Sequence, residues 1–307
     1  MVFFPILLLY ELCFGNLKKN LKKLLLPLGL TLLWFTIYAL KIPARVAQVG
    51  PVISPKGELL TRVFAVPIIA LSSYLELIAW PRNLTLYHSE TNYSHFEFIL
   101  RAGVVVTIAS TFAWGLLKKK KQLVFWLGFF VLALLTVITP FGISWLVAER
   151  YVYLGAIGVY TLISYATVRL AEKYRQLAVP TLGAGILVLI LLAGRTIDRS
   201  IDWKTADNLW LSAAKTSPSS PQNRNNLGDY YARQGNLAEA VNQFTYATKL
   251  LPCYADAHHN LANTYTKLGQ LDKAIEHYNK ALECNPNLWQ SQQNLEQIYQ
   301  YLGKTGK

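Results

Sequence analysis

Glu149 and Arg150 place an acid and a base side by side, with Tyr151 and Tyr153 directly after them and an apolar run on each side, 123–141 and 152–168. Ionised side chains beside a membrane core are costly unless paired or wet, so a charged pair at such a boundary is a candidate functional site by default. The chemistry open to these residue types is electrostatic. Arg150 can face a group that gains negative charge, with Glu149 as its ion-pair partner and Tyr153 beside them as a candidate contact. Lys41 and Arg45, in the connection after an earlier apolar run, are two further cations for the same role. Glu149 is a poor choice of base for a hydroxyl, because its chain neighbour is its natural partner. The plainer reading of the stretch is an interfacial ion pair flanked by two aromatic anchors.

The elements that must position these residues follow from composition. The chain has 307 residues, 53% hydrophobic and 15% charged, with a formal net charge of +13. Residues 1–202 carry 20 Lys+Arg against 9 Asp+Glu, and residues 203–307 carry 10 against 8. The basic excess therefore sits among the apolar runs, at Lys18, Lys19, Lys22 and Lys23 and at Lys118–Lys121, where short basic loops orient a membrane protein. A nucleic-acid partner is not indicated, because the polar part lacks a basic footprint. Three cysteines, Cys13, Cys253 and Cys284, match no metal spacing, and they read as packing residues with a Cys253–Cys284 pair as the alternative.

The apolar runs give spans near 1–13, 24–40, 61–80, 98–117, 123–141, 151–168 and 179–194. The first is short for a crossing and has neither a basic n-region nor a cleavage site, so it reads as the end of a helix whose beginning is missing. Run 61–80 contains Pro67 and Glu76, which favours an interfacial or re-entrant segment. With Lys118–Lys121 on the inside, counting sides puts 148–153 and everything after 194 on the extracytoplasmic face. Asn83-Leu84-Thr85 and Asn92-Tyr93-Ser94 match the short N-glycosylation pattern. The membrane domain is read as 1–200 and a second domain as 201–307.

The second domain repeats every 34 residues. Leu227, Gly228, Tyr231, Gly235, Ala240, Phe244, Ala247 and Pro252 recur as Leu261, Ala262, Tyr265, Gly269, Ala274, Tyr278, Ala281 and Pro286. This is the tetratricopeptide (TPR) pattern, two helices per unit with small residues at the close crossings. It gives a half repeat at 203–220, repeats at 221–254 and 255–288, and a capping helix at 289–302. The fold class is all-α, a polytopic helical bundle followed by an α-solenoid. Such solenoids bind extended segments of other proteins in a concave face. Asn226, Asn260 and Asn294 recur in phase and are the candidate peptide contacts, with helix-surface polarity as the plainer alternative. His258, His259 and His277 have no metal-ligand spacing.

Ala148-Glu149-Arg150-Tyr151-Val152-Tyr153-Leu154, followed by a span, a basic loop, a last span and TPRs, resembles the transmembrane-and-TPR O-mannosyltransferases and their bacterial membrane TPR relatives. Tyr74-Leu75-Glu76-Leu77-Ile78-Ala79-Trp80-Pro81 and Leu9-Tyr10-Glu11-Leu12 look like two further motifs of that family. The resemblance implies a polyprenyl-phosphate sugar donor, a reaction on the lumenal or periplasmic side, TPRs on that same side, a protein partner, and a divalent metal in some complete enzymes. It also implies catalytic carboxylates in an early extracytoplasmic loop, and this chain begins at a later span. Lys41 stands where the family tends to carry Arg. The competing expectations are a glycosyltransferase part with TPRs that select its acceptor, and a non-catalytic membrane-anchored TPR scaffold. An O-antigen ligase type is disfavoured, because 81–97 is too short for the large loop that type needs.

Overall fold

The computed structural model describes residues 2–53, 59–81, 84–85, 93–138 and 147–303, with backbone alone at 41–53 and 59–62. Asn83, Asn92 and the Thr139-Pro140-Phe141-Gly142 stretch lie outside the described residues. Thirteen α-helices and no strand occur among the described residues, as the all-α reading requires. The chain divides into two compact units: Met1–Leu84 with Thr91–Arg199, and Thr85–Glu90 with Ser200–Lys307.

The first unit holds α1 (Phe3–Cys13), α2 (Leu17–Ile53), α3 (Leu59–Ala79), α4 (His95–Leu117), α5 (Lys121–Ala133), α6 (Val152–Lys173) and α7 (Ala178–Asp202), whose last residues enter the second unit. Four segments are long and apolar enough to cross a membrane: Leu17–Leu40, His95–Leu117, Glu149–Lys173 and Arg175–Asp202. Their apolar side chains are almost wholly unburied by protein, which suits lipid contact.

Helix α3 carries the two residues, Pro67 and Glu76, that suggested a break. Residues 59–79 form one continuous helix that runs through Pro67 without a break. Val66, Ala70, Leu71, Tyr74 and Ile78 are buried, and with Phe130, Leu134 and Val137 they make the main core of this unit. The polar residue that suggested a break, Glu76, is matched by Arg101 of α4 at 2.9 Å. The apolar part of α3, Val63–Ala79, is shorter than the four candidate spans. Run 123–141 departs from the sequence expectation. Its helix stops at Ala133, and Leu134, Leu135 and Val137 bond three residues back in a tightened turn. The β-branched residues before Pro140, and the restriction a proline places on its predecessor, work against a longer helix.

Helices α5 and α6 are antiparallel and close. A Cβ on Gly158 would lie 2.6 Å from the Trp126 carbonyl oxygen, and one on Gly155 would lie 3.3 Å from Phe130. Cys13 packs with Val124 and Phe125, so the basic segments 18–23 and 118–121 share one end of the unit. The segment before α6, the end of α3 and the end of α7 gather at the opposite end.

The second unit contains α8 (Ala206–Thr216), α9 (Pro221–Arg233), α10 (Leu237–Leu250), α11 (Ala255–Lys267), α12 (Leu271–Cys284) and α13 (Trp289–Tyr301). Ser220 caps α9 by accepting from the Asn223 amide, with Pro221 at the first helical position. Gly235, Gly269 and Gly303 follow α9, α11 and α13 at φ of 78°, 71° and 66°, the left-handed conformation that lets one helix of a pair turn back beside the next. Phe244 lies against Gly228, and Tyr278 packs with Ala262 and Ala274. The cysteines expected to be packing residues are instead joined: Cys253 and Cys284 form a disulfide that closes the second repeat, with their Cα atoms 5.3 Å apart. Spacing could not settle this, because the pairing depends on the fold of the repeat.

Replacing Gly158 with Leu should destabilise the detergent-solubilised chain by about 1–3 kcal/mol through overpacking. Gly183→Leu, at a site with nothing within 4 Å, should change thermal unfolding little. Equal losses for the two variants would show that the α5–α6 contact is not the tight one.

Candidate functional site

The short 3₁₀ turn Glu149–Tyr151 sends successive side chains in different directions. Glu149 turns inward. Its Oε2 accepts from Arg199 Nε at 3.1 Å and its Oε1 from an Arg199 terminal nitrogen at 2.5 Å. Both side chains are nearly out of solvent, at 11% and 8% exposure. The sequence expectation that Glu149 orients Arg150 is therefore replaced. The bidentate partner is Arg199, fifty residues on, at the end of α7. A buried carboxylate needs both oxygens satisfied, and the planar fork of a remote guanidinium does this better than an adjacent side chain in a tight turn.

Two further bonds seat the turn. The Ala148 amide donates to the hydroxyl of the fully buried Tyr74 at 3.1 Å. The Tyr160 hydroxyl donates to the Ile78 carbonyl at 3.1 Å. Arg195, one turn before Arg199, donates to the Pro81 carbonyl at 3.0 Å and pairs with Asp198 at 2.8 Å. Helices α3, α6 and α7 thus meet at one end of the first unit through polar contacts. Arg150 faces outward, with its guanidinium 5.0 Å from the Tyr151 ring, and Tyr153 is 72% exposed. Lys41 and Arg45 lie on the backbone of α2, and their side chains fall outside the described residues.

Arg199 and Arg195 were not singled out from sequence, and Tyr74 entered only as part of the motif at 74–81. The spacing Arg195, Asp198, Arg199 is a helical i, i+3, i+4 set at the end of an apolar run, and that was the available signal. Among the described residues no group of three or more His, Cys, Asp or Glu converges as a metal site. Glu149 is occupied by Arg199. The described residues therefore do not fit a divalent ion, and no step is derived through one.

In the repeats the three asparagines divide. Asn260 donates to Asn225 Oδ1 at 3.0 Å, and Asn294 donates to Asn263 Oδ1 at 2.9 Å and to the Tyr278 hydroxyl at 3.1 Å. The bonds to Asn225 and Asn263 join the first helix of one repeat to that of the next, and the bond to Tyr278 reaches the second helix of the preceding repeat. Asn226 is half-buried and makes no side-chain hydrogen bond among the described residues. His259 bonds Ser291 and Asn263, continuing this polar line. His258 and His277 stack with their Nδ1 atoms 3.0 Å apart, and Tyr265 stacks on His277. Burial first, then the neighbouring His258, pushes the His277 pKa down to about 4. Burial also lowers that of His259.

The fold and the repeat geometry together define a helical protein with membrane-type helices and a C-terminal TPR solenoid. The tetratricopeptide repeat family model matches residues 255–288, and a second TPR repeat model matches 228–269. The chain is also similar over part of its length to a group of protein O-mannosyl-transferases. It is 31% identical over 100 residues to protein O-mannosyl-transferase Tmtc2 of Drosophila melanogaster, covering 33% of this chain and 10% of that protein. It is 30% identical over 130 residues to protein O-mannosyl-transferase TMTC4 of Mus musculus, covering 41% of this chain and 17% of that protein. The match thus spans under a fifth of the length of either relative. Among solved structures, the first TPR of Spaghetti (RPAP3) bound to an HSP90 peptide aligns at TM-score 0.31 and 23% identity, over 38% of this chain and 93% of that one. YrrB, a TPR protein with an unusual peptide-binding site, aligns at 0.29 and 21%, over 64% and 89%.

Arg199→Ala should cost about 3–5 kcal/mol, because it leaves the Glu149 carboxylate buried without its partner. Arg150→Ala, at an exposed position, should cost under about 1 kcal/mol in the same thermal unfolding measurement. Similar losses would contradict the assignment of partners. His277 has a depressed folded pKa, so the unfolded chain takes up its proton first as pH falls. The stability it contributes is complete above about pH 6.5 and is lost between there and about pH 4. The TPR unfolding transition should weaken over that window by about 1–2 kcal/mol, and His277→Gln should flatten the dependence. An unchanged pH profile in His277→Gln would contradict this.

Proposed function

We propose that this chain provides the phosphate-facing and acceptor-binding parts of a membrane glycosyltransferase of the O-mannosyltransferase type, with a polyprenyl-phosphate sugar as donor. The observation that carries the reading is the division of labour at 149–150. Arg199 holds Glu149 inside, and the same turn directs Arg150 outward beside Tyr151 and Tyr153. A guanidinium there suits the phosphate that leaves a lipid-linked sugar, where positive charge stabilises the negative charge that grows on the leaving oxygen. Tyr153 supplies a hydroxyl at the same surface. The acceptor hydroxyl still needs a base. Glu149 is unsuited to that role, since both its oxygens hold Arg199. On this reading the base comes from a carboxylate beyond this turn.

The TPRs take the protein acceptor or a partner, with Asn226 as the asparagine still available to a peptide and Asn260 and Asn294 as spacers between repeats. An extracytoplasmic position for the TPRs is supported by two observations. The end of α7 lies opposite the basic segments 18–23 and 118–121, and the Cys253–Cys284 disulfide suits an oxidising compartment. A second reading, a non-catalytic membrane-anchored TPR scaffold, is favoured by the same sequestration of Glu149.

Transfer of mannose from polyprenyl-phosphate mannose to endogenous protein, measured on membranes that hold the wild-type chain, separates the two. The enzyme reading expects activity that falls at least about tenfold in Arg150→Ala with expression unchanged. Absence of transfer by the wild type with several polyprenyl donors would sink that reading in favour of the scaffold.

A further inference from the structure

A second charged cluster lies on α3 and α4, and the reaction outlined above does not use it. Arg101 of α4 donates to the Ser72 and Ser73 hydroxyls at 3.1 and 3.2 Å and to Glu76 at 2.9 Å. Its guanidinium also lies 4.0 Å from the centre of the Tyr93 ring. These three bonds leave two of the five N–H groups of a guanidinium without a partner among the described residues. Glu76 uses only Oε2 for Arg101 and stays 64% exposed. Glu97 uses only Oε2, for the Ser94 amide and hydroxyl, in a capping box that fixes the carboxylate at the start of α4. Two carboxylate oxygens therefore remain as acceptors beside a guanidinium that still has donors.

All three charged residues border one open groove of about 400 Å³, and its walls are Leu75, Ala79, Leu100 and Val104. The groove combines these charged groups with apolar walls. Arg101 is six residues past His95, so it sits roughly 9 Å in from the start of α4. Glu76 is three residues from the end of α3, within reach of Arg101 through their ion pair. Helix α4 is one of the segments long and apolar enough to cross a membrane, so a groove near its start suits a lipid.

The geometry points to a bound aminophospholipid, one whose headgroup joins a phosphate to a primary ammonium, as in phosphatidylethanolamine. The phosphate meets the remaining N–H groups of Arg101. The ammonium, with three donors, meets the open oxygens of Glu76 and Glu97. An acyl chain lies along the Leu75–Val104 wall. The charges select among lipids. A choline headgroup has no N–H to give the carboxylates, and a glycerol headgroup leaves its net negative charge facing two acids.

Native mass spectrometry of the full chain in detergent, titrated with phosphatidylethanolamine, phosphatidylcholine and phosphatidylglycerol of identical chains, tests this. The wild type should retain the ethanolamine lipid at about tenfold lower concentration than the other two. Glu76→Gln and Glu97→Gln should each remove most of that preference. Leu100→Trp, which leaves the Arg101–Glu76 pair in place, should fill the groove and weaken ethanolamine-lipid binding by at least about tenfold. Equal retention of the three lipids, or a preference for the glycerol lipid, would overturn the proposal. A preference that survives Leu100→Trp would show that the site is elsewhere, and one that survives both glutamine variants would overturn the headgroup assignment.

Discussion

One carboxylate and one guanidinium, both almost out of water, hold the membrane unit together at one end. Glu149 and Arg199 are fifty residues apart and joined by two hydrogen bonds. Neither ion is tolerable there alone, since the desolvation of an unpaired buried charge is several kcal/mol and only close, bidentate pairing offsets it. The pair also gives direction to its neighbours. With Glu149 drawn inward and the Ala148 amide on the Tyr74 hydroxyl, the turn before α6 has one orientation available, and Arg150 is left at the surface. The end of α7 is fixed by the same pair and by Arg195 on the Pro81 carbonyl.

That constraint alters the chemistry that 148–154 can perform. A Glu–Arg dipeptide beside a membrane invites a reading as acid, base and anion site at once. Once Arg199 takes both carboxylate oxygens, the acid has a positioning role and only the cation faces out. On the function proposed above, the stretch serves as part of an anion site, and proton transfer requires another group. The Arg101 cluster is built differently. There the guanidinium is matched to an exposed carboxylate and borders a groove, which suits ligand binding more than helix fixation.

The repeats were legible from sequence because their determinants are local and periodic. Gly228 against Phe244, and the glycines at 235, 269 and 303, recur at 34 residues because each repeat solves the same packing problem with the same residue types. The apolar runs were legible for the same kind of reason. The partners were not. Tyr74 and Ala148 are 74 residues apart, Arg195 and Pro81 are 114 apart, and no periodicity links either pair. In α3, Pro67 and Glu76 each suggest a break when seen alone, and the partner that matches Glu76, Arg101, lies 25 residues away on another helix. The disulfide was undervalued because Cys253 and Cys284 meet only after the second repeat folds. Two of the three phased asparagines proved to join repeats, a use that spacing does not separate from ligand contact.

The central claim, that Glu149 is paired with Arg199 and not held by its neighbour, is tested most directly by exchanging the charges. Thermal unfolding of the detergent-solubilised chain would be measured for Glu149→Arg, for Arg199→Glu and for the two together. If the pair is the constraint described, each single variant buries two like charges and loses several kcal/mol, and the double variant recovers most of that loss. A double variant no more stable than its weaker parent would contradict the account.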